Sequence, residues 1–147
     1  MGPFKNLFGA KPPPLPPLAD PILGELRWNG DSEGWEGSMN VAQREVHLYL
    51  GAGTAQEYPS AEIRALLAAP KLKMKIVALQ AIAYLHQNEA HLDWKVNPSG
   101  YELDGLESYQ HYLSEGTFTV TFVNGDTESV WRVNFQGEKP VGWGVDD

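Results

Sequence analysis

Apolar and polar residues alternate along three stretches of the N-terminal half. In GELRWN, Leu26 and Trp28 fall on one side and Glu25 and Arg27 on the other, the period of a half-buried strand. NGDSEG (29–34) is dense in turn-forming residues, and a second strand is expected from Trp35 to Val41. After a short turn at Ala42–Arg44, EVHLYLG sets Val46, Leu48 and Leu50 facing one way and His47 and Tyr49 the other. These stretches predict a three-stranded antiparallel meander.

The period then lengthens. Ser60 is placed to cap a helix, with Glu62 in the first turn near its positive end, so a short helix is expected over 61–68. The ring of Pro70 would clash one turn back, yet proline is well tolerated as a first helical residue. A long helix is therefore predicted from about 70 to 91. Met74, Val77, Ala78, Ala81, Ile82 and Leu85 recur at i, i+3, i+4 spacing, and Ile76, Leu79 and Ala83 make the other flank apolar. A helix apolar on most of its circumference is expected to be buried, lying across a sheet. NPSG (97–100) closes the helical region, and a connection around Leu103–Glu107 leads to a second β unit.

That unit reads SYQHYL, the turn SEG, TFTVTFV, the turn NGD, then SVWRVNF. Phe118, Val120 and Phe122 point to the core while Thr117, Thr119 and Thr121 point away, and Trp131, Val133 and Phe135 share a side. Asn124-Gly125 signals a two-residue hairpin. The glycine-rich ending GEKPVGWGVDD is expected to be irregular, with Trp143 docking it. The fold class is α+β: an antiparallel meander, two helices and a second antiparallel meander, helices packed on the sheet and the meanders free to pair edge to edge.

Ahead of this, KPPPLPP (11–17) fixes its φ angles and lacks most of its donors, so it joins neither helix nor central strand. It is read as a semi-rigid spacer, with a K-x-x-P-x-x-P pattern that proline-groove domains recognise. Residues 1–19 are taken as leader and proline-rich linker and 20–147 as a single domain. Phe4, Leu7 and Phe8 lie at helical spacing in the leader, enough for at most weak surface contact.

At 147 residues, with 42% hydrophobic and 20% charged, the chain is long enough for one real core. It contains no cysteine, which removes disulfides and thiolate-bound zinc and fits a reducing, cytoplasmic setting. No apolar run reaches the ~18–20 residues of a membrane span, so no stable membrane insertion is expected. The net charge of −8 argues against nucleic acid as partner and in favour of a basic one.

The usual catalytic parts are missing. No G-x-S-x-G elbow occurs, and GAGTAQ (51–56) lacks the third glycine of a dinucleotide loop. His86 and His91, five apart, would diverge by about 140° on a helix, and His47 and His111 lie far off in sequence, so neither metal nor cofactor is expected. Charge is distributed unevenly. Between Lys95 and Arg132 there is no Lys or Arg but six acids, Glu102, Asp104, Glu107, Glu115, Asp126 and Glu128. Glu25–Glu36 adds four more against Arg27. Clustering of like charge costs stability unless a partner offsets it. Aromatic residues of the types that anchor interfaces lie beside the acids. The candidate partner-binding residues are therefore Trp28, Asp31, Glu33, Trp35, Glu36, Glu102, Asp104, Glu107 and Tyr109. The alternative is that the rings are half core and the acids merely solvating.

The motifs D-P-x-x-G-x-L-x-W (Asp20 to Trp28) and G-W-x-G (Gly34 to Gly37), with the closing GTFTVTFVNGDTESVWRVNFQGE, resemble those of a family of small bacterial α+β proteins. The resemblance covers residues 20–147 in layout and brings no catalytic pattern. Proteins of this kind are read as toxin-immunity proteins. The resemblance thus implies a compact acidic domain, monomer or dimer, that neutralises a basic toxin domain without being an enzyme. Two alternatives stand beside it: a structural or regulatory interaction domain attached through its N-terminal leader, and a small hydrolase using paired carboxylates.

Overall fold

The computed structural model describes residues 12–89, 100–125 and 129–146. Among them eight strands form one sheet in chain order: β1 (Leu18–Asp20), β2 (Gly24–Asn29), β3 (Gly34–Val41), β4 (Arg44–Gly51), β5 (Tyr101–Tyr109), β6 (Thr117–Asn124), β7 (Val130–Gln136) and β8 (Lys139–Asp146). Neighbours are antiparallel except β4 and β5, which run parallel. Parallel neighbours need a long crossover. Here it contains α1 (Ala61–Lys71) and α2 (Met74–Asn88). The fold is α+β with the sheet dominant, and the two meanders meet at the β4–β5 pair.

One face of the sheet is the core. The row Leu48–Leu106–Val120–Val133 crosses four strands and is fully buried. Phe118 and Phe135 stack in a neighbouring row with centroids 5.0 Å apart. Ile63 and Leu67 of α1, with Val77, Ala81 and Leu85 of α2, join the same cluster. Burying each large aliphatic side chain contributes about 1.5–3 kcal/mol. The alternation read in β4, β6 and β7 holds here because each strand has one face in this core and one outside it.

Ser60 caps α1 as its sequence predicts, its Oγ accepting the Ile63 amide at 3.3 Å. Pro70 does not open a new helix. It lies buried in the last turn of α1, and the break comes at Leu72–Lys73, where Lys73 leaves helical geometry (φ −132°, ψ 40°). Nor is α2 buried all round. Met74, Val77, Ala81 and Leu85 face the core, while Ile76 and Leu79 stand 58% and 68% exposed. Two helices cover one face of a wide sheet in a single layer, and among the described residues no further element packs on their outer side. Residues 90–99, with His91 and most of NPSG, lie outside the described residues.

Three further expectations change. The stretch around Leu103–Glu107 is no connection but the middle of β5, a nine-residue strand bonded on both sides. Its alternation is hidden by a bulge between Leu103 and Gly105, which moves the core-facing parity from Tyr101 and Leu103 to Leu106 and Ser108. Asn124-Gly125 does not make a two-residue hairpin, since Val123 pairs with Val130 and leaves residues 124–129 between them. The glycine-rich ending is a full edge strand, β8, because β7 offers it a free ladder. Trp143 does dock, lying over Trp131 with centroids 6.4 Å apart.

The opening motif serves the architecture. Asp20 Oδ1 accepts the amides of Ile22 and Leu23 at 2.9 and 2.8 Å, and its Oδ2 meets Arg64 Nη1 of α1 at 2.9 Å. Gly24 follows at φ +80°, and Leu26 enters the core. Burial opposes the charged form of Asp20, but the Leu23 and Ile22 amides and Arg64 outweigh it and hold the carboxyl below its ordinary value. A lowered folded pKa gives stability that is present above the unfolded value and lost as pH falls through the folded one. Asp20→Asn keeps the turn acceptor and removes the charge. It is expected to lower stability by about 1–2 kcal/mol at pH 7. Urea titrations should show that loss shrinking toward pH 3 and below; a loss independent of pH would contradict the assignment.

Two residues, Ala42 and Gln43, connect β3 to β4 with φ of 51° and 66°. Left-handed backbone costs an L-residue about 1–2 kcal/mol, and such turns favour Asn-Gly. Ala42→Asn with Gln43→Gly is expected to raise stability by about 1–2 kcal/mol by the same reasoning, read as a higher urea midpoint at unchanged slope. A lower midpoint would refute it.

Candidate functional site

Neither α1 nor α2 covers the second face of the sheet. Across it runs the row Arg27–Glu36–Tyr49–Glu107–Thr119–Asn134–Gly142, one residue from each of β2 to β8. Beside it runs Ser38–His47–Gly105–Thr121–Arg132–Gly144. Glycines in and beside these rows let long side chains lie flat. A Cβ on Gly34 would come within 2.5 Å of the Tyr49 ring, and one on Gly51 within 2.5 Å of the Tyr109 ring. The Arg132 guanidinium covers Gly144 in the same way, a Cβ there meeting Nη2 at 2.7 Å. The result is a paved polar surface with aromatic tiles.

Acids surround the tiles. Tyr49 Oη donates to the Ser32 carbonyl at 2.6 Å. Glu36 accepts from Asn29 Nδ2 at 2.8 Å and Ser32 Oγ at 3.0 Å, with His47 Nε2 3.5 Å away. Burial raises the Tyr49 pKa, and the charges of Glu36, Glu107 and Glu33 push it further. Tyr109 Oη donates to Glu107 at 3.1 Å, and burial followed by the Glu107 charge raises its pKa. Both phenols are hydrogen-bond donors at neutral pH. Burial also raises Glu107, against the pull of Tyr109, His47 and Arg132, while Asp104 pushes it the same way as burial. Asp104 is the extra residue of the β5 bulge, its carboxylate 3.5 Å from Thr121 Oγ1. Four acids distant in sequence thus share one field.

Toward β8 this face deepens into a groove of about 530 Å³. Glu107, Thr119, Arg132 and Asn134 contribute to its lining. One wall is aromatic, from Tyr109 and the 3-10 turn Gln110–Glu115, where His111 and Tyr112 lie 4.1 Å apart. Arg132 is held by Asp146, with Nε 2.7 Å from its carboxylate.

The structure divides the residues singled out from sequence. Glu33, Glu36, Glu107 and Tyr109 come together around Tyr49, and Asp104 acts on Glu107 from the bulge. Asp31 is exposed at the β2–β3 turn, its amide donating to Asn29 Oδ1. Glu102 is exposed and paired with Arg44 at 3.0 Å. Trp35 has no exposed surface; it packs on Tyr58 at 5.1 Å and on Trp28 at 6.0 Å, and both tryptophans face the helix side. Trp35 therefore has no surface to offer a partner, and the rings beside the acids are Tyr49 and Tyr109. Tyr49, His47 and Arg132 stand opposite the apolar residues of their strands, and alternation alone does not mark them as part of a site. Their signal was the glycines at strand positions facing the same way, which mark where a neighbouring side chain must lie down.

Among the described residues no group of three or more His, Asp or Glu side chains is set to hold a metal ion. His86 instead meets Glu89 at 2.9 Å, and Tyr101 donates to the same oxygen at 2.8 Å. No helix among the described residues is long and apolar enough to cross a membrane. Compared with protein-family models, curated proteins and solved structures, the chain matches none.

Because the Glu107 carboxyl lies above its ordinary value, the folded protein releases this proton at a higher pH than the unfolded chain does. That contribution is fully present below the unfolded pKa and is lost as pH rises through the folded one. Glu107→Gln cannot ionise. Its melting temperature is expected to gain on that of the wild type as pH rises from about 4 to 7. A difference that stays constant or narrows over that range would contradict the assignment.

Proposed function

We propose that this chain is a non-enzymatic binding protein that captures a basic protein partner on the open face of its sheet. The observation that carries this reading is that strand pairing sets Glu36 and Glu107 on either side of Tyr49, with Glu33 acting on the same ring, Tyr109 hydrogen-bonded to Glu107 and Asp104 acting on Glu107. Arg27 and Arg132, the arginines of this face, are already paired with Glu25 and Asp146. Such a surface attracts positive charge at long range and offers rigid rings as anchors at contact. A carboxylate array on a flat scaffold imitates a phosphate backbone, so a toxin domain that binds nucleic acid through Lys and Arg fits it. The chain then acts as an immunity protein, blocking that toxin by occupying its basic face.

A second reading has one observation in its favour: Glu107 and Glu115 line the same groove as His111 and Tyr109, as a small hydrolase with paired carboxylates requires. One substitution separates the two. Glu107→Gln removes the proton-transfer group a hydrolase would need, but only one of several charges on a binding face.

The test is co-expression with basic toxin domains encoded by neighbouring genes, comparing wild type with Glu33→Lys, Glu36→Lys and Asp104→Lys combined. Wild type is expected to restore growth and form a complex that weakens as salt rises. The triple variant, folded by circular dichroism, should lose at least about 100-fold in affinity, from three reversed charges near the middle of the contact. Growth rescue and affinity indifferent to the three reversals would discard the proposal.

A further inference from the structure

The proline segment does not stand off the body as a spacer. Residues 12–17 lie along the loop between β4 and α1, and the contacts follow the chemistry of proline. Within PPPLPP only Leu15 has a backbone N–H, and it donates to the Ala55 carbonyl at 2.7 Å. The carbonyls are all available, and three are read. Gln56 Nε2 donates to Pro12 and Pro13 at 3.3 and 3.2 Å, and Tyr58 Oη donates to Pro16 at 2.9 Å. Leu15 packs partly buried against the core. The Leu15 amide and side chain and the carbonyls of Pro12, Pro13 and Pro16 are thus engaged, and Tyr58 supplies an aromatic ring of the kind that lines proline-reading grooves.

The loop that does the reading is held in shape by bonds that do not involve the segment. Thr54 and Glu57 exchange backbone hydrogen bonds at 2.9 and 3.2 Å. Trp35 Nε1 donates to the Thr54 carbonyl at 3.1 Å, and its indole braces the Tyr58 ring at 5.1 Å. Gly53 makes the turn at φ +72°, where a side chain would run into the Glu57 carbonyl. Its donors and acceptor therefore stay in register when the segment leaves. The hydrogen bonds from Gln56 and Tyr58 lie at the surface, which makes local release easy.

We propose that the loop Ala55–Tyr58 is a polyproline II binding site, occupied in the resting protein by residues 12–17 of the same chain and open to a proline-rich segment of another protein when they exchange. Tethering gives the chain's own segment an effective concentration of about millimolar, so an incoming ligand competes with it rather than finding an empty groove.

The test uses the full chain with Pro12, Pro13, Pro14, Pro16 and Pro17 replaced by glycine, which loosens the internal ligand and leaves the groove intact. Titrated with the synthetic peptide PPPLPPLA, this variant is expected to bind saturably and at least about tenfold more tightly than wild type, where the tethered segment competes. Adding Tyr58→Phe and Gln56→Ala should cut that binding at least tenfold, and the peptide GGGLGGLA should not bind. A folded glycine variant without saturable binding would overturn the proposal. Hydrogen exchange of the wild type gives an independent reading: the Leu15 amide should exchange at least 100-fold faster than that of Leu48 in β4. Equal protection of the two would mean the segment leaves only when the whole protein unfolds, and would equally overturn it.

Discussion

The parallel pairing of β4 with β5 is the constraint from which the rest of the molecule follows. It places His47 beside Gly105, Leu48 beside Leu106 and Tyr49 beside Glu107, joining two antiparallel units into one sheet. The pairing requires a long connection, and that connection carries α1 and α2. Both helices land on the same side and supply the second layer of a single core. The other side of the sheet is left to water, and every strand in the middle must be apolar on one face and polar on the other.

That asymmetry builds the candidate site. Because β3, β4 and β5 are neighbours, a carboxylate from each of two separate acidic stretches lies next to Tyr49. Burial raises both the Glu107 carboxyl and the Tyr109 hydroxyl; their mutual contact raises Tyr109 further and pulls Glu107 back down. Glycines keep the face low enough for rings and a guanidinium to lie flat across it. The surface is stiff because it is a sheet, and charged because strand pairing brings residues of two acidic stretches to one face. Binding is a use that suits both properties: little order is lost on contact, and a cationic partner relieves the repulsion.

The helix layer and the proline segment show the same economy of cover. The inner face of α2 is buried, but Leu72, Ile76 and Leu79 remain exposed because the described residues form no third layer over them. At the far end of β4, the loop that leads into α1 finds its cover in residues 12–17. Asp20 ties the start of that end to α1 through Arg64, so chain entry and helix layer are fixed by one carboxylate.

Where one interaction dominates locally, the sequence by itself determined the outcome. Alternation set the core faces of β4, β6 and β7, Ser60 capped its helix, and the α+β class followed from the order of periods. The uneven spread of acids was legible too. Only the tertiary structure decided what depends on neighbours distant in the chain. A bulge hid β5, whose identity as a strand comes from having partners on both sides. A free edge made β8 a strand despite its glycines. The shortage of a third layer left half of α2 exposed, and register, not composition, chose Tyr49 over Trp35 as the ring among the acids. Periodicity tells which way a residue faces relative to its own strand; hydrogen-bonded pairing across strands tells what it faces with, and that is where a site is made.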